Sequence, residues 1–277
     1  MLRLLFRPIL CGRLFGIPVL VAPAVFVLVL IAVIAADGNS QVETLSVLLA
    51  LGILAVTLLV HEFAHALVAR HLGLRVIDIT IWPLGGMARM EGLSGHSSRE
   101  AMVAAAGPLS NLVLAAICAF LPGQIADSAY VMNLILGLGN LVPAFPLDGG
   151  RLLRAWLAMR SPLVDATLAS VRLAKLIALA ALLFGFWGSS LWIGIILAIY
   201  LWWSGQVEYI QVMLREGQQP SLSSTEVWRR ACYPLFGGSP PDSNVESPHQ
   251  QPHGSAEEDL ENFHGSMDEY FEDRDSK

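Results

Sequence analysis

Long apolar runs alternate with short polar connections along this chain. Residues 18–36, 45 to about 70, 101–121 and 129 to about 147 are predominantly apolar. Each is close to the ~20 residues that a helix needs to cross a bilayer core at ~1.5 Å per residue. These runs predict four transmembrane helices. Residues 173–203 form a longer run, which as one helix would measure about 46 Å, too long for a modest tilt. Gly188-Ser189-Ser190 interrupts it, so it predicts two short helices and about six spans in all. Between the second and third runs, Val76-Ile77-Asp78-Ile79-Thr80-Ile81 is rich in β-branched residues, and Gly85-Gly86 follows it before Met87-Ala88-Arg89-Met90. That pattern predicts a strand and a turn. The expected fold class is an all-α polytopic membrane protein with a small β-hairpin-like cytoplasmic or re-entrant segment and a disordered C-terminal tail.

Composition agrees: 55% of the 277 residues are apolar, 14% are charged, and the mean hydropathy is +0.58. These values exclude an ordinary soluble globule. The first apolar run is too long for a signal peptide, and no small-residue cleavage site precedes a soluble domain. The net charge of −6 comes from the tail, because residues 242–277 hold eleven of the 23 acids and two of the 17 basic residues. Without that segment the chain is mildly basic, so the acidic balance says nothing about a site, and no nucleic-acid partner is indicated. Cys11, Cys118 and Cys232 form no Cys-x-x-Cys pair, which gives neither a disulfide framework nor a thiolate metal site.

Basic residues set the expected orientation. Arg3, Arg7 and Arg13 precede the first run, Arg70, Arg75, Arg89 and Arg99 lie between the second and third, and Arg151, Arg154, Arg160, Arg172 and Lys175 follow the fourth. Arg215, Arg229 and Arg230 follow the last, while the alternate connections carry none. Both termini are therefore expected in the cytoplasm of a multi-pass cell-membrane protein. Residues 1–214 are expected to form the membrane domain and 215–277 an acidic, largely disordered tail. From Gln218 the chain is rich in Pro, Gly, Ser and acids, a composition that buries too little apolar surface to fold. Trp228 and Tyr233-Pro234-Leu235-Phe236 are candidates to hold a short juxtamembrane segment to the surface.

Chemistry concentrates in His61-Glu62-Phe63-Ala64-His65, at the end of the second run. Residues four apart share a helix face, so the two imidazoles can meet one Zn²⁺ with Glu62 beside it as a base. Two histidines and a glutamate at membrane depth cost kilocalories unless something compensates them, and a metal ion does so. The competing reading is a solvated helix face or a pair of histidines satisfied by hydrogen bonds. His61 is expected about 24 Å down the helix from Leu45, near the inner edge of the core. The fourth run descends the same way and ends in Asn140-Leu141-Val142-Pro143-Ala144-Phe145-Pro146-Leu147-Asp148-Gly149-Gly150. That places Asp148 in the same leaflet as a candidate third ligand, leaving one tetrahedral position open, as catalytic zinc requires. Its plainer reading is an Asp-Gly-Gly helix C-cap. Pro143 and Pro146 unwind the end of the run, tolerable at that depth only where protein or a watery cavity satisfies the backbone, and so suggest a peptide cradle. Asn140 is a candidate for the substrate carbonyl or developing oxyanion, or a helix–helix hydrogen bond. Asn111 reads as packing glue between helices. A strand edge at Gly85 and Gly86 suits peptide capture by strand addition, or simply connects two helices.

Taken together, His-Glu-x-x-His, Pro-Leu-Gly-Gly-Met-Ala (83–88), Ala-Gly-Pro-Leu-Ser-Asn (106–111) and Asn-x-x-Pro-x-x-Pro-Leu-Asp-Gly-Gly-Arg (140–151) resemble the site-2 protease family of intramembrane zinc metalloproteases over about residues 12–204. The resemblance implies one zinc per chain on His61, His65 and Asp148, Glu62 as catalytic base, and Asn140 in substrate or transition-state contact. It implies substrates that are transmembrane segments of membrane-tethered proteins, cut within the lipid in regulated intramembrane proteolysis. It points to the six-span branch, here without the C-terminal pair of nucleotide-sensing domains that members often carry. A divalent-metal transporter would also place histidines and aspartate inside helices, and a non-proteolytic scaffold would keep the helices without needing the chemistry.

Overall fold

The computed structural model describes residues 7–37, 41–83, 85–92, 97–187, 191–217 and 220–228, all within the compact unit Met1–Gly237. Two strands, β1 (Ile9–Leu14) and β2 (Ile17–Val21), precede helices α1 (Pro23–Asp37) and α2 (Gln41–His71). Strands β3 (Arg75–Trp82) and β4 (Gly85–Glu91) follow, then α3 (Ser97–Cys118), α4 (Gln124–Asn140), α5 (Asp148–Ala158), α6 (Leu163–Trp187) and α7 (Leu191–Glu216).

Four helices, α2 from Thr44, α3, α6 and α7, are long and apolar enough to cross a membrane, while α1 and α4 have 15 and 17 residues. Large apolar side chains such as Ile34, Val56, Ile135, Phe184 and Ile196 lie exposed along them. A helical surface this apolar is a lipid-facing one. The chain is a multi-pass, mostly helical membrane protein with a small sheet.

The first predicted helix begins late. Residues 17–21 form β2, and only from Pro23 does the chain coil. Ile-Pro-Val-Leu-Val has no alternation, so a buried strand and a helix read alike there, and pairing decides. β2 runs parallel to β3 (Val19↔Ile79, Leu20↔Thr80, Val21↔Ile81), and β1 and β4 complete a sheet of order β1-β2-β3-β4. The predicted hairpin at 75–90 is therefore half of a four-stranded sheet. Phe15 and Gly16 join β1 to β2 with φ of 52° and 80°, both in the left-handed region that a two-residue hairpin turn demands. A Phe there is held by tertiary contacts: the Arg70 guanidinium donates to the Phe15 carbonyl at 2.8 Å, and its ring meets Phe63 edge-on at 6.1 Å. Ile17 and Ile79 of the sheet pack with Phe63 and Ala66 of α2, so the sheet lies against the helix turn that carries the two histidines.

The fourth run also divides. α4 stops at Asn140, residues 141–147 turn, and Asp148 opens a new helix. Asp-Gly-Gly is thus a helix start, not a C-cap. A Cβ on Gly149 would stand 2.3 Å from the Leu141 carbonyl oxygen, so the returning turn can lie on α5 only because no side chain is there. The run at 173–203 belongs to two long helices, because buried small and polar residues of α6 begin at Val164; residues 188–190 lie outside the description. Residues 220–228, predicted to be disordered, are packed instead. Val227 is fully buried with Leu157, Ala166 and Ala169, and Trp228 lies 6.1 Å from Trp156. The Asp165 carboxylate accepts the Ser221 and Leu222 backbone N–H groups (2.8 and 3.0 Å) and the Ser221 hydroxyl. Tyr233-Pro234-Leu235-Phe236 and the rest of the tail lie outside the described residues.

Candidate metal centre

His61 and His65 sit one turn apart on α2, at 3% and 4% exposure, and meet Asp148 from the first turn of α5. His61 Nε2 lies 3.1 Å from Asp148 Oδ2, His65 Nε2 lies 3.1 Å from the same oxygen, and the two nitrogens are 3.2 Å apart. The second ring nitrogens settle what those atoms carry. His65 Nδ1 is 2.7 Å from the Val103 carbonyl, which can only accept, so Nδ1 bears the proton. The His61 tautomer is fixed by contacts across three helices. The Ala129 carbonyl accepts from Asn133 Nδ2 at 2.8 Å, which turns Asn133 Oδ1 toward Asn111 Nδ2 at 2.9 Å. Asn111 Oδ1 then faces His61 Nδ1 at 2.7 Å and accepts its proton. Asn133 Nδ2 also reaches Thr57 Oγ1 at 3.2 Å, so the relay is anchored back on α2.

In their neutral forms, both imidazoles present Nε2 lone pairs to each other and to a carboxylate. Three electron-pair donors in a triangle of 3.1–3.2 Å repel unless a cation stands among them. A proton shared with Asp148 serves only one of the two rings. Donor atoms at the vertices of a tetrahedron around zinc, with bonds of ~2.0–2.1 Å, lie about 3.3 Å apart. The residues present therefore fit a zinc ion, and their other nitrogens are already oriented as metal-bound histidines require. His61, His65 and Asp148 are also the one metal-capable group found among the described residues.

The polypeptide makes room for this triangle with glycine. A Cβ on Gly107 of α3 would stand 2.3 Å from His65 Nε2 and 2.7 Å from His61 Cε1, and one on Gly86 of β4 would stand 2.4 Å from Glu62 Cγ. Glu62 is 6% exposed and packed against Gly86 of β4. On the same stretch of α3 the Ser110 hydroxyl donates to the Gly107 carbonyl at 2.7 Å. Arg151 Nη1 lies 4.0 Å from Asp148 Oδ1, too long for a hydrogen bond.

The sequence-predicted residues thus divide. His61, Glu62, His65, Asp148 and Gly86 come together. Gly85, half-buried at φ 146°, turns the chain into β4. Pro143 is half-buried and Pro146 exposed in the turn before α5. Asn140 donates to the Leu136 carbonyl of its own helix at 3.0 Å, and no hydrogen bond among the described residues brings it to the triangle. The amide that touches a candidate ligand is Asn111, read from sequence as packing glue. Its position four residues after Gly107, one turn along the face that meets the histidines, was the available signal.

The Peptidase family M50 model matches residues 49–126 and 123–185, which contain every residue of the triangle. Zinc metalloprotease MJ0392 of Methanocaldococcus jannaschii is 30% identical over 206 residues, 71% of this chain and 59% of that protein. Rip3 of Mycobacterium tuberculosis is 37% identical over 145 residues, 48% of this chain. The chain covers only 37% of Rip3's length. The solved site-2 protease from Methanocaldococcus jannaschii superimposes with a TM-score of 0.53 at 28% identity, over 78% of this chain and 98% of that one. With a donor triangle suited to zinc inside such a fold, the chain belongs to peptidase family M50, the family of the site-2 proteases.

Proposed function

We propose that this chain is an intramembrane zinc endopeptidase that hydrolyses peptide bonds within or beside the transmembrane segments of membrane-tethered proteins. The observation that carries the reading is the triangle of facing donors on His61, His65 and Asp148 with Glu62 next in the chain and buried beside it. In this reading those three side chains hold the zinc. When bound, zinc supplies Lewis acidity for a scissile carbonyl and for the attacking water.

The protein's own groups do the rest. Glu62 accepts a proton from the attacking water at its carboxylate and returns it to the leaving amide nitrogen. β4 lies at the end of the sheet, and its Gly86 lies directly against Glu62. A substrate segment opened from its helix and laid along β4 has its backbone hydrogen bonds satisfied by strand addition, with Gly85 and Gly86 permitting close approach. The 141–147 turn, with Pro143 and Pro146, forms the other wall, and Asn140 meets the substrate there by turning its amide away from Leu136.

The finer topology belongs to the same reading: six spans, with α1 and α4 completing the four long helices, both termini cytoplasmic, lipid around the bundle, and a membrane domain of 1–214 followed by an acidic tail of 215–277. Purified protein reconstituted with a single-span substrate tests the activity. Glu62→Gln is expected to retain zinc at wild-type stoichiometry and to lose cleavage by about 10²–10⁴-fold. Undiminished cleavage by that variant sinks the assignment of Glu62.

A further inference from the structure

Six residues after Asp148 on α5, Arg154 has a role that the hydrolytic chemistry does not use. Six residues turn a helix by about 600° and advance it about 9 Å, so the two side chains leave α5 on different faces. The Arg154 guanidinium is buried, with 8% of its side chain exposed. Its two terminal nitrogens divide between Glu100, in the first turn of α3, and Glu208, toward the end of α7. Its Cζ lies 5.3 Å from the centre of the Phe145 ring, which is 1% exposed and three residues ahead of Asp148. One side chain therefore ties α5 to α3, to α7 and to the turn that leads into the carboxylate.

The same α3 supplies every contact that orients the imidazoles on their outer sides: the Val103 carbonyl, the Asn111 amide and the space at Gly107. The triangle is closed only if α5 is held in fixed register against α3. We propose that Arg154 is the positioning residue of the metal centre, fixing α5 on α3 and α7 so that Asp148 Oδ2 stays in reach of both histidines. The role needs arginine. A planar fork reaches two carboxylates on different helices while its face stacks on an aromatic ring, whereas an ammonium is a point charge that can favour only one partner. Removing the cation leaves the buried Glu100 carboxylate and the half-buried Glu208 carboxylate repelling each other across the helices it joined. Glu208 extends the reach of this device: through it, any displacement of α7 bears on the helix that carries Asp148.

The inference rests on Asp148 being the third metal ligand, and the experiment separates the two. Full-length protein in detergent or nanodiscs is titrated with zinc against a competing chelating dye, and the visible bands of the Co²⁺-loaded protein are recorded, for the wild type, Asp148→Asn, Arg154→Lys and Glu208→Gln. Asp148→Asn is expected to lose at least about 100-fold in affinity, and Arg154→Lys about 10-fold with altered Co²⁺ bands, the range in which groups supporting a ligand act. Glu208→Gln is expected to lose a few-fold and carries the test if Arg154→Lys does not fold. Wild-type zinc affinity and unchanged Co²⁺ bands in both supporting variants overturn the proposal. So does an affinity loss that only follows a lowered Tm of the metal-free protein while the bands stay the same. If Asp148→Asn keeps wild-type affinity, the ligand assignment itself fails.

Discussion

Asp148 and Arg154 lie on one short helix, both buried, yet their surroundings differ in a way that decides what each can do. Around Arg154 the cation has its counter-ions, since its two terminal nitrogens meet two carboxylates and its face is covered by an aromatic ring, and only its Nε is left without a hydrogen bond. Around Asp148 they are incomplete, because a carboxylate and two lone-pair nitrogens converge with no hydrogen to share among all three. A closed cluster holds helices together. An open one is a place for a cation, kept open by hydrogen bonds that commit the far nitrogens of both rings. The difference teaches that burial of charge is not the mark of the site; electron-pair donors that converge with no cation among them are.

The sharpest way to break the comparison is to finish the open cluster wrongly. Asp148→Ala removes the anionic donor, and zinc affinity is expected to fall by at least about 100-fold, with cleavage lost, measured by metal content after dialysis and by substrate conversion. Gly107→Ala keeps all three donors but puts a methyl group where the imidazoles lie. It is expected to cost at least about 10-fold in zinc affinity, because the rings must move from their acceptors to clear it. Asn111→Leu probes the hydrogen-bond side alone. Without its acceptor His61 can rotate or exchange tautomers, and a loss of about 10-fold, in the lower part of the 10–100-fold range, is expected, read by dye competition. The smallest effect lies away from both clusters. Asp165→Asn weakens the capture of Ser221 and Leu222, and protection of residues 220–228 in hydrogen exchange is expected to drop by about 1–2 kcal/mol with zinc affinity unchanged.

Much of the site was legible because it is written in local patterns. His61 and His65 are one helical turn apart, and any helix there brings them together. Counting spans puts Asp148 in the leaflet of the histidines, although the helix of the fourth run ends eight residues earlier, at Asn140, and Asp148 opens the next. The N-terminal strands were not legible. Phe15 is not a usual turn residue beside Gly16, its backbone being held by Arg70 and Phe63 from far along the chain, and Ile17–Val21 pairs with strand β3 some sixty residues away. Nor did composition distinguish Ser221–Trp228 from the tail that follows it. Its order depends on one carboxylate, Asp165, and a slot for Val227.

From the sequence alone came what short-range geometry and lipid enforce: apolar helices of membrane length, a two-histidine face with a glutamate beside it, a β-branched strand with its turn, and the motifs of a family. The tertiary structure decided which strands share a sheet, which asparagine touches a histidine, and which arginine holds the helix bearing the third donor. The reason is physical. Helix periodicity and hydrophobic length are properties of neighbouring residues, whereas a hydrogen bond from His61 to Asn111, or a fork from Arg154 to Glu100 and Glu208, joins groups about fifty residues apart and exists only once the helices have packed.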